Sequence, residues 1–154
     1  MFFSDNEKNK YPNALEELGL SKSGNCWIWK YPKRAIIELG LMKINTNAEF
    51  SQEGSKLIWR EYITNNFGSQ FLAYIETKDY PHKMPKVLIE EPQIKPSHDM
   101  HMYTEDGSIC YMHPNSYNSK ISILEIRNQI CSWAFSIEVF ANAGEWPAAE
   151  RSHW

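Results

Sequence analysis

The fold is decided by residues 71–90, which read Phe-Leu-Ala-Tyr-Ile-Glu-Thr-Lys-Asp-Tyr-Pro-His-Lys-Met-Pro-Lys-Val-Leu-Ile-Glu. Two short runs rich in aliphatic and aromatic residues, 71–76 and 86–90, flank a link that contains two prolines. Such runs are typical of strands. Pro81 and Pro85 make the link between them stiff and extended. The stretch therefore predicts two consecutive strands with no crossover helix between them, which favours an antiparallel sheet.

Upstream of this stretch, the sequence predicts two more strands and one helix. Residues 35–44 are mostly apolar and include three isoleucines, and residues 56–63 mix apolar and polar side chains. We interpret both segments as strands. Residues 14–20 predict a short helix that ends at Gly19. The polar residues 1–13 are expected to be loosely ordered.

Downstream of residue 92 the pattern changes. Residues 92–118 are rich in Pro, His, Asp, Gly, Asn and Ser and have almost no periodicity, which predicts a long loop of the kind that tends to carry function. Helical periodicity begins at Ser119, and a stripe of apolar residues follows at spacings of three and four: Ile123, Ile126, Ile130, Trp133, Ile137 and Phe140. The stripe predicts one long helix that packs on the sheet and is ended by Gly144.

These elements predict an α+β fold: a four-stranded antiparallel meander with an N-terminal helix, a loop bearing Cys110 and a long C-terminal helix. A length of 154 residues suits a single domain over residues 1–154. The net charge of −3, without a clustered basic face, argues against a nucleic-acid partner. No apolar run approaches the ~18 residues of a membrane span and no secretory leader is recognisable, so we expect a soluble, cytoplasmic protein.

The chain has three cysteines, Cys26, Cys110 and Cys131. An odd number of widely spaced cysteines argues against a disulfide framework and fits a reducing compartment. We expect Cys26 and Cys131 to be buried, inert thiols. Cys110 differs from them because it follows Asp106-Gly107, a strong turn signal, within the long loop.

Three interpretations of Cys110 compete on spacing alone. It is a nucleophile, because a thiol near hydrogen-bonding or cationic groups reacts as the thiolate. Alternatively, it belongs to a zinc site, because ligand pairs of suitable spacing are present; these residues are His98, His101, Cys110 and His113. The third interpretation is a packed loop residue with no chemistry.

The order of features from Phe71 to Cys110 resembles the ubiquitin-conjugating enzyme family. That family has a strand, a proline-bearing link, a second strand, an irregular loop and then Gly-x-Ile/Leu-Cys at the catalytic position. Gly107-Ser108-Ile109-Cys110 matches this motif residue for residue. The resemblance implies a ubiquitin-conjugating-enzyme-like fold and a catalytic Cys110 that carries its cargo as a thioester, with no cofactor.

The chain departs from the family at one position of importance. The family's His-Pro-Asn triplet precedes the cysteine, and its Asn supports the oxyanion, whereas the aligned residues here are Met100-His101-Met102. His113-Pro114-Asn115 spells the triplet but follows the cysteine, so its role is not transferred. His101 is therefore the first candidate for an oxyanion donor or proton shuttle; the alternative is that it only hydrogen-bonds the loop backbone.

The segment from His101 to Tyr111 and the tail from Gly144 to His153 resemble the conjugating-enzyme-like proteins of bacterial CBASS anti-phage operons, in their conjugating-enzyme-only form. The resemblance implies that Cys110 accepts the C-terminus of a cGAS-like nucleotidyltransferase and passes it to a lysine amine of a protein target. A non-catalytic relative that only binds a partner is the alternative. Tyr103 and Asp106 are expected to shape the loop. His153 either folds toward the cysteine or belongs to a free end, and Trp146 is expected to be a packing anchor.

Overall fold

The computed structural model describes residues 6–147. The α+β class is as the sequence predicts, but the structure has three helices where the sequence predicts two. The elements are α1 (Asn6–Glu17), α2 (Pro32–Asn45), β1 (Glu49–Glu53), β2 (Lys56–Thr64), β3 (Gln70–Thr77), β4 (Lys86–Glu91) and α3 (Ile123–Ala143). Single 3-10 turns lie at Trp27–Trp29, His98–Met100 and Pro114–Ser116. Within this described part, none of the helices has the length and apolar character that crossing a bilayer demands.

The four strands form one antiparallel sheet in the order β1-β2-β3-β4, which confirms the predicted meander. Alternate residues of the two central strands turn toward the helices, as the two-residue period of a strand requires. Trp59 and Ile63 of β2 and Ile75 of β3 are buried there. Helix α3 lies against β2 and β3, so the core fills the space between this face and the helices.

The long helix matches its predicted stripe and its predicted end. Five of the six stripe residues are buried, and Phe140 packs at the edge of the core. The helix begins at Ile123 and not at residue 119, because the Ser122 hydroxyl accepts the N–H of Glu125 at 3.0 Å and caps the first turn. Gly144 adopts a left-handed conformation and donates its N–H to the Phe140 carbonyl at 2.8 Å.

The prediction of a strand at residues 35–44 is wrong, because this segment lies in helix α2. Pro32 occupies the first turn of α2, where its missing N–H costs nothing. Ala35, Leu39 and Met42 are buried at helical spacing, whereas Ile44 is exposed. The branched isoleucines favoured a strand by residue type, but the burial of one helical face decides the structure.

The fourth strand is β1, which the sequence analysis missed. Its five residues are polar except for Phe50, and four of the five are exposed. A strand with so little apolar alternation has no sequence signature of its own. Its position is fixed by its pairing with β2 through a tight turn at Gly54, whose φ of +59° favours glycine.

The N-terminal helix is longer than the sequence predicts. It spans Asn6–Glu17 instead of residues 14–20, so residues 6–13, expected to be loosely ordered, are helical; residues 1–5 lie outside the described part. The prediction rested on the polarity of residues 1–13, and a polar segment is still helical here although Pro12 removes one backbone hydrogen bond inside the helix. Leu15 is fully buried and fixes α1 to the core.

A buried carboxylate joins α2 to the start of α3. Glu38, 1% exposed, accepts the guanidinium Nε–H of Arg34 at 2.8 Å and the backbone N–H of Ile123 at 2.7 Å. Arg34 also donates to the hydroxyl of Tyr80 at 2.6 Å, which lies in the link between β3 and β4. These contacts connect α2 to Tyr80, which precedes β4, and to Ile123, which begins α3. The long loop between β4 and α3 is therefore held close to α2 on both sides.

Candidate active site

The loop that carries Cys110 contains a small hairpin. Met102 and Ile109 pair as an isolated antiparallel bridge. The N–H of Tyr103 donates to the Ser108 carbonyl at 2.8 Å, and the N–H of Gly107 donates to the Tyr103 carbonyl at 2.9 Å. Gly107 has a φ of +77°, a conformation that L side chains rarely adopt. The turn predicted at Asp106-Gly107 is thus confirmed.

Asp106 holds this hairpin closed. Its carboxylate accepts the N–H of Ser108 at 2.9 Å and the Ser108 hydroxyl at 2.6 Å, and it lies 3.4 Å from the ammonium of Lys86. Burial alone would raise the pKa of Asp106, but the hydrogen bonds from Ser108 and the nearby Lys86 outweigh it and hold the pKa below its usual value. Asp106 is therefore charged at neutral pH and supports the turn.

The residues on either side of Cys110 are anchored to the beginning of β4. The N–H of Ile109 donates to the Val87 carbonyl at 2.9 Å, and the Tyr111 hydroxyl donates to the Pro85 carbonyl at 2.5 Å. Both anchoring residues are buried. The position of Cys110 is consequently set by its neighbours and by the sheet.

The sulfur of Cys110 lies between two oxygens. The hydroxyl of Tyr103 and the backbone carbonyl of Met112 are each 3.5 Å from Sγ, within the range of sulfur hydrogen bonds. Burial first, and then the hydrogen bond to Cys110, raise the pKa of Tyr103 well above its usual value. Tyr103 is therefore a protonated phenol at neutral pH, and its O–H is a donor to the sulfur.

His101 contacts Cys110 through the backbone. Its carbonyl accepts the N–H of Cys110 at 2.7 Å. Its own backbone is left-handed, with a φ of +52°, and its buried ring stacks on Trp146 with ring centroids 4.2 Å apart and planes 9° apart. Trp146 is 5% exposed, which confirms that it is a packing anchor. Together they form one wall of an open cavity of about 550 Å³ that Asp99 and Glu145 also line.

The predicted site residues are distributed unevenly around the sulfur. Tyr103 and Asp106 share the small hairpin with Cys110, and His101 lies beside it. In the part of the chain that the structure describes, the side-chain atom that reaches the sulfur is the Tyr103 hydroxyl and not an imidazole nitrogen. His153 lies outside the described residues.

The predicted zinc ligands do not assemble into a site. His98 is exposed in its 3-10 turn, and Nδ1 of His113 accepts the N–H of Asn115 at 3.0 Å, which caps the next turn. Within residues 6–147, no three His, Cys, Asp or Glu side chains are grouped as metal ligands. The geometry therefore gives no support to zinc coordination by His98, His101, Cys110 and His113.

The other two thiols have different surroundings. Cys26 is 2% exposed, and burial raises its pKa despite backbone hydrogen bonds at Ile28 and Trp27. Cys131 is half-buried on α3; burial raises its pKa, and the nearby cation of Arg127 only partly opposes this. Because the thiolate is the reactive form, raised pKa values make both residues poor nucleophiles at neutral pH.

Three residues that position the loop were missed by the sequence analysis. Lys86, in β4, lies beside the Asp106 carboxylate of the loop. Tyr111, which follows the cysteine, donates its hydroxyl to the Pro85 carbonyl. The indole N–H of Trp133 donates to the Met100 carbonyl at 3.0 Å. Tyr111 had a weak signal, because it adjoins Cys110. Trp133 was correctly placed in the apolar stripe, but nothing local indicates that its nitrogen faces the loop.

Comparison with curated proteins and with solved structures gives no match. A family model does match: the model of E2-CBASS, described as Type II CBASS E2 protein, covers residues 38–154. The match is well over half of the chain and includes the whole sheet, the hairpin with Cys110 and helix α3. The chain therefore belongs to the family of Type II CBASS E2 proteins, the E2-like components of an anti-phage defence system.

Proposed function

We propose that this protein is a conjugating enzyme in which Cys110 carries the C-terminus of a partner protein as a thioester and transfers it to a lysine amine. The observation that carries the proposal is the placement of the Cys110 sulfur. It lies at hydrogen-bonding distance from the Tyr103 phenol, in a hairpin that is anchored next to β4. The family match supports the class of reaction. By resemblance, the cargo is a cGAS-like nucleotidyltransferase.

The first step forms the thioester. Sγ of Cys110 attacks the carbonyl carbon of an activated C-terminal acyl group, either an acyl adenylate or a thioester of another protein. A carbon–sulfur bond forms, the bond to the adenylate or thiol leaving group breaks, and the thiol proton passes to solvent. The product is the partner protein linked through its C-terminal carbonyl to Cys110.

The second step transfers the acyl group. The neutral amine of a lysine on the target attacks the same carbonyl carbon, the carbon–sulfur bond breaks, and an isopeptide bond forms. The departing sulfur leaves as a thiolate, and the amine loses one proton. The Tyr103 O–H, which donates toward Sγ at 3.5 Å, is placed to stabilise that negative charge as it develops.

Both steps pass through a tetrahedral oxyanion, which needs a donor. The backbone N–H of Cys110 is engaged by the His101 carbonyl at 2.7 Å, so in this geometry it is not directed at the reacting carbonyl. We assign His101 a positioning role through this bond and through its stack on Trp146. Its imidazole as the oxyanion donor is the second possibility, and the two roles respond differently to the substitutions described below.

We infer that the four-stranded meander with its three helices is a ubiquitin-conjugating-enzyme-like fold, because the anchored cysteine loop lies between β4 and α3, in the order that the resemblance requires. We also infer that residues 1–154 act as one domain, because α1, α2, the sheet and α3 contribute to a common core.

Intact-mass analysis tests the proposal directly. The protein is incubated with a cGAS-like nucleotidyltransferase of a Type II CBASS system and an activating system, and an adduct that thiols release is expected on wild type. Cys110→Ala should form none, and Cys110→Ser should form an adduct that hydroxylamine releases but thiols do not. Cys26→Ala and Cys131→Ala are matched controls that should keep the adduct. An adduct that persists in Cys110→Ala would show that the nucleophile is elsewhere.

The non-catalytic alternative gives a different pattern in the same experiment. A binding module would form a complex with its partner that denaturing conditions dissociate completely, in wild type and in Cys110→Ala alike. Absence of any covalent adduct, combined with an unchanged complex in Cys110→Ala, would contradict the conjugating activity and favour that alternative.

A further inference from the structure

Strand β1 is an edge strand to which no further strand of the described chain is paired, although its Gln52 side chain exchanges two hydrogen bonds with the backbone of Ser21. It lies at one end of the sheet and pairs only with β2. In an antiparallel ladder, every second residue directs its N–H and C=O away from the partner strand. No backbone hydrogen bond outside the sheet involves residues 49–53 in the described part of the chain. This edge therefore offers backbone donors and acceptors to an additional strand.

Two cavities follow this edge. The first, of about 550 Å³, is mostly apolar, and its walls include Ile36, Leu39, Gly40, Phe50 and Trp59. The second, of about 340 Å³, lies further along the strand, beside Gln52 and Gly54. Leu18 and Phe50 line both cavities and are 47% and 38% exposed. The edge is thus bordered by two neighbouring cavities, with Leu18 and Phe50 partly exposed between them.

The charge on β1 indicates what this edge accepts. Glu49 and Glu53 lie on the face of the strand opposite to Phe50, because side chains alternate along a strand. Their partners across the ladder are cations, but Arg60 pairs with Glu90 at 2.9 Å and Lys56 pairs with Glu76 at 3.1 Å. Neither carboxylate of β1 forms an ion pair at contact distance within residues 6–147, although Glu53 lies in the field of Arg60. Each carboxylate can therefore still accept a cation of a partner at hydrogen-bonding distance.

The same charges argue against a second copy of this chain as the occupant. An antiparallel pair of two β1 strands centred on Ser51 would place Glu49 of each chain opposite Glu53 of the other. Like charges directly opposite each other destabilise a strand pair. The edge is therefore complementary to a basic strand and not to itself.

We propose that β1 binds an extended, basic segment of a partner protein as a fifth strand of the sheet. Lysine or arginine side chains lie opposite Glu49 and Glu53, and an aliphatic side chain between them enters the cavity beside Gly40 and Trp59. Main-chain hydrogen bonds supply affinity in such strand addition, and pockets for alternate side chains supply selectivity. The site does not include Cys110, so binding at β1 can be tested independently of the conjugating activity.

A synthetic peptide provides the probe. The fluorescein-labelled, end-blocked heptapeptide Gly-Lys-Thr-Thr-Leu-Lys-Gly places its two lysines opposite the two glutamates and its leucine opposite Phe50. Fluorescence anisotropy with the full-length protein should give saturable binding. The same peptide with glutamates in place of both lysines, and one N-methylated at the first threonine and the leucine, which lie opposite Gln52 and Phe50 and donate toward β1, should each bind at least about tenfold more weakly.

Gly40→Leu is the decisive protein variant. A Cβ built on Gly40 meets nothing within 4 Å, and leucine is a better helix former than glycine by several tenths of a kcal/mol or more. The variant should fold, fill the cavity and weaken binding at least about tenfold. The double variant Glu49→Lys/Glu53→Lys should lose the basic peptide and gain the acidic one. Asp99→Lys/Glu105→Lys is a control of equal charge on exposed residues elsewhere and should change neither.

Several outcomes would overturn the proposal. These are no binding up to millimolar peptide, binding that Gly40→Leu leaves intact, and binding that tracks net charge in both double variants. A dimer in sedimentation velocity that Gly40→Leu abolishes would assign the edge to a second copy and would also overturn it. Cys110→Ala is expected to bind the peptide as wild type does, which separates this result from the test of conjugation.

Discussion

The hydroxyl oxygen of Tyr103 lies 3.5 Å from the sulfur of Cys110, across the small hairpin that the two residues share. The two side chains are brought together by the Met102–Ile109 bridge and by the turn that Asp106 stabilises. A phenol at this distance is the nearest side-chain donor to the sulfur among the described residues. It therefore provides the most direct connection between the geometry of the loop and the chemistry of the thiol.

Tyr103→Phe should slow acyl transfer while leaving the fold intact. The substitution keeps the half-buried ring and removes only the O–H that donates to the sulfur. A hydrogen bond to a developing thiolate is worth about 1.5–3 kcal/mol, so we expect the rate of discharge to free lysine to fall by about 10- to 100-fold. Single-turnover discharge of the preformed thioester measures this rate without interference from the loading step.

Tyr62→Phe is the matched control for that experiment. Tyr62 is 53% exposed on β2, and its hydroxyl donates to Glu91 at 3.1 Å, outside the cysteine loop. The discharge rate of this variant should equal that of wild type. If Tyr103→Phe also discharges at the wild-type rate, the phenol has no part in transfer and the contact with Cys110 is only structural.

Two substitutions at His101 separate its possible roles. His101→Phe keeps an aromatic ring on Trp146 and keeps the backbone carbonyl that accepts the Cys110 N–H, but it has no ring nitrogen. If His101 positions the loop, this variant should retain thioester formation within about threefold, with a stability loss of about 1–3 kcal/mol because a bulky residue is strained at positive φ. Rates of loading and discharge, measured separately, test this expectation.

His101→Asn gives the complementary result. Asparagine tolerates the left-handed backbone and offers a side-chain donor, but it lacks the aromatic stack. We expect it to lose more activity than His101→Phe. The opposite order, with Asn active and Phe slowed by 10²-fold or more, would show that the imidazole acts as the oxyanion donor.

Glu38→Ala should be strongly destabilising. The substitution leaves the half-buried Arg34 guanidinium without its carboxylate and the first N–H of α3 without its acceptor. Removal of one partner of a buried ion pair typically costs about 3–5 kcal/mol, and we expect a loss of unfolding free energy in that range. Chemical denaturation measures it. Glu17→Ala, at an exposed position on α1, should change the unfolding free energy by less than about 0.5 kcal/mol.

Asp106→Asn should alter the acid stability of the protein in a defined direction. The pKa of Asp106 is lowered in the folded state, so its charged form stabilises the fold above the unfolded-state pKa near 3.9, and this contribution disappears as the pH falls through the lower folded value. The difference in unfolding free energy between wild type and variant should therefore be present at pH 7 and shrink below about pH 4.

Ser108→Ala in the Asp106→Asn background supplies the control for this pH dependence, because the titrating carboxylate that accepts the Ser108 hydroxyl is already gone. Adding Ser108→Ala to Asp106→Asn should change the unfolding free energy by an amount that does not vary over the same range of pH. A difference for Asp106→Asn that grows as the pH falls would contradict the assigned role of its carboxylate.

The elements that the sequence predicts well are those whose apolar pattern is local. The stripe on α3 buries one face, and the central strands β2 and β3 carry runs of buried apolar residues, so local burial decides these structures. The prediction of a strand at residues 35–44 was wrong because isoleucine is common in strands, whereas the buried positions of α2 repeat with a helical period. Strand β1 was not predicted because it is held by its pairing with β2 and contributes almost nothing to the core.

In the candidate site, too, the features that depend on adjacent residues could be predicted and those that depend on tertiary contacts could not. The turn that precedes Cys110 was predictable because Asp106 and Gly107 are adjacent in sequence and turn chemistry is local, whereas the role of Cys110 stays a prediction. The contact of Tyr103 with the sulfur was not predictable, since it depends on a bridge between Met102 and Ile109 that has no pattern of its own.

The anchoring of Ile109 and Tyr111 to β4 has a consequence for the cysteine between them. The anchors bind the carbonyls of Val87 in β4 and of Pro85 just before it, and neither uses an atom of the Cys110 side chain. The backbone at position 110 is therefore held without the thiol. Within residues 6–147, the buried side chain itself meets only the Tyr103 hydroxyl and the Met112 carbonyl through hydrogen bonds of the sulfur, so serine, which has nearly the same size and can make both contacts, is the substitution that changes the nucleophile and leaves its supports in place.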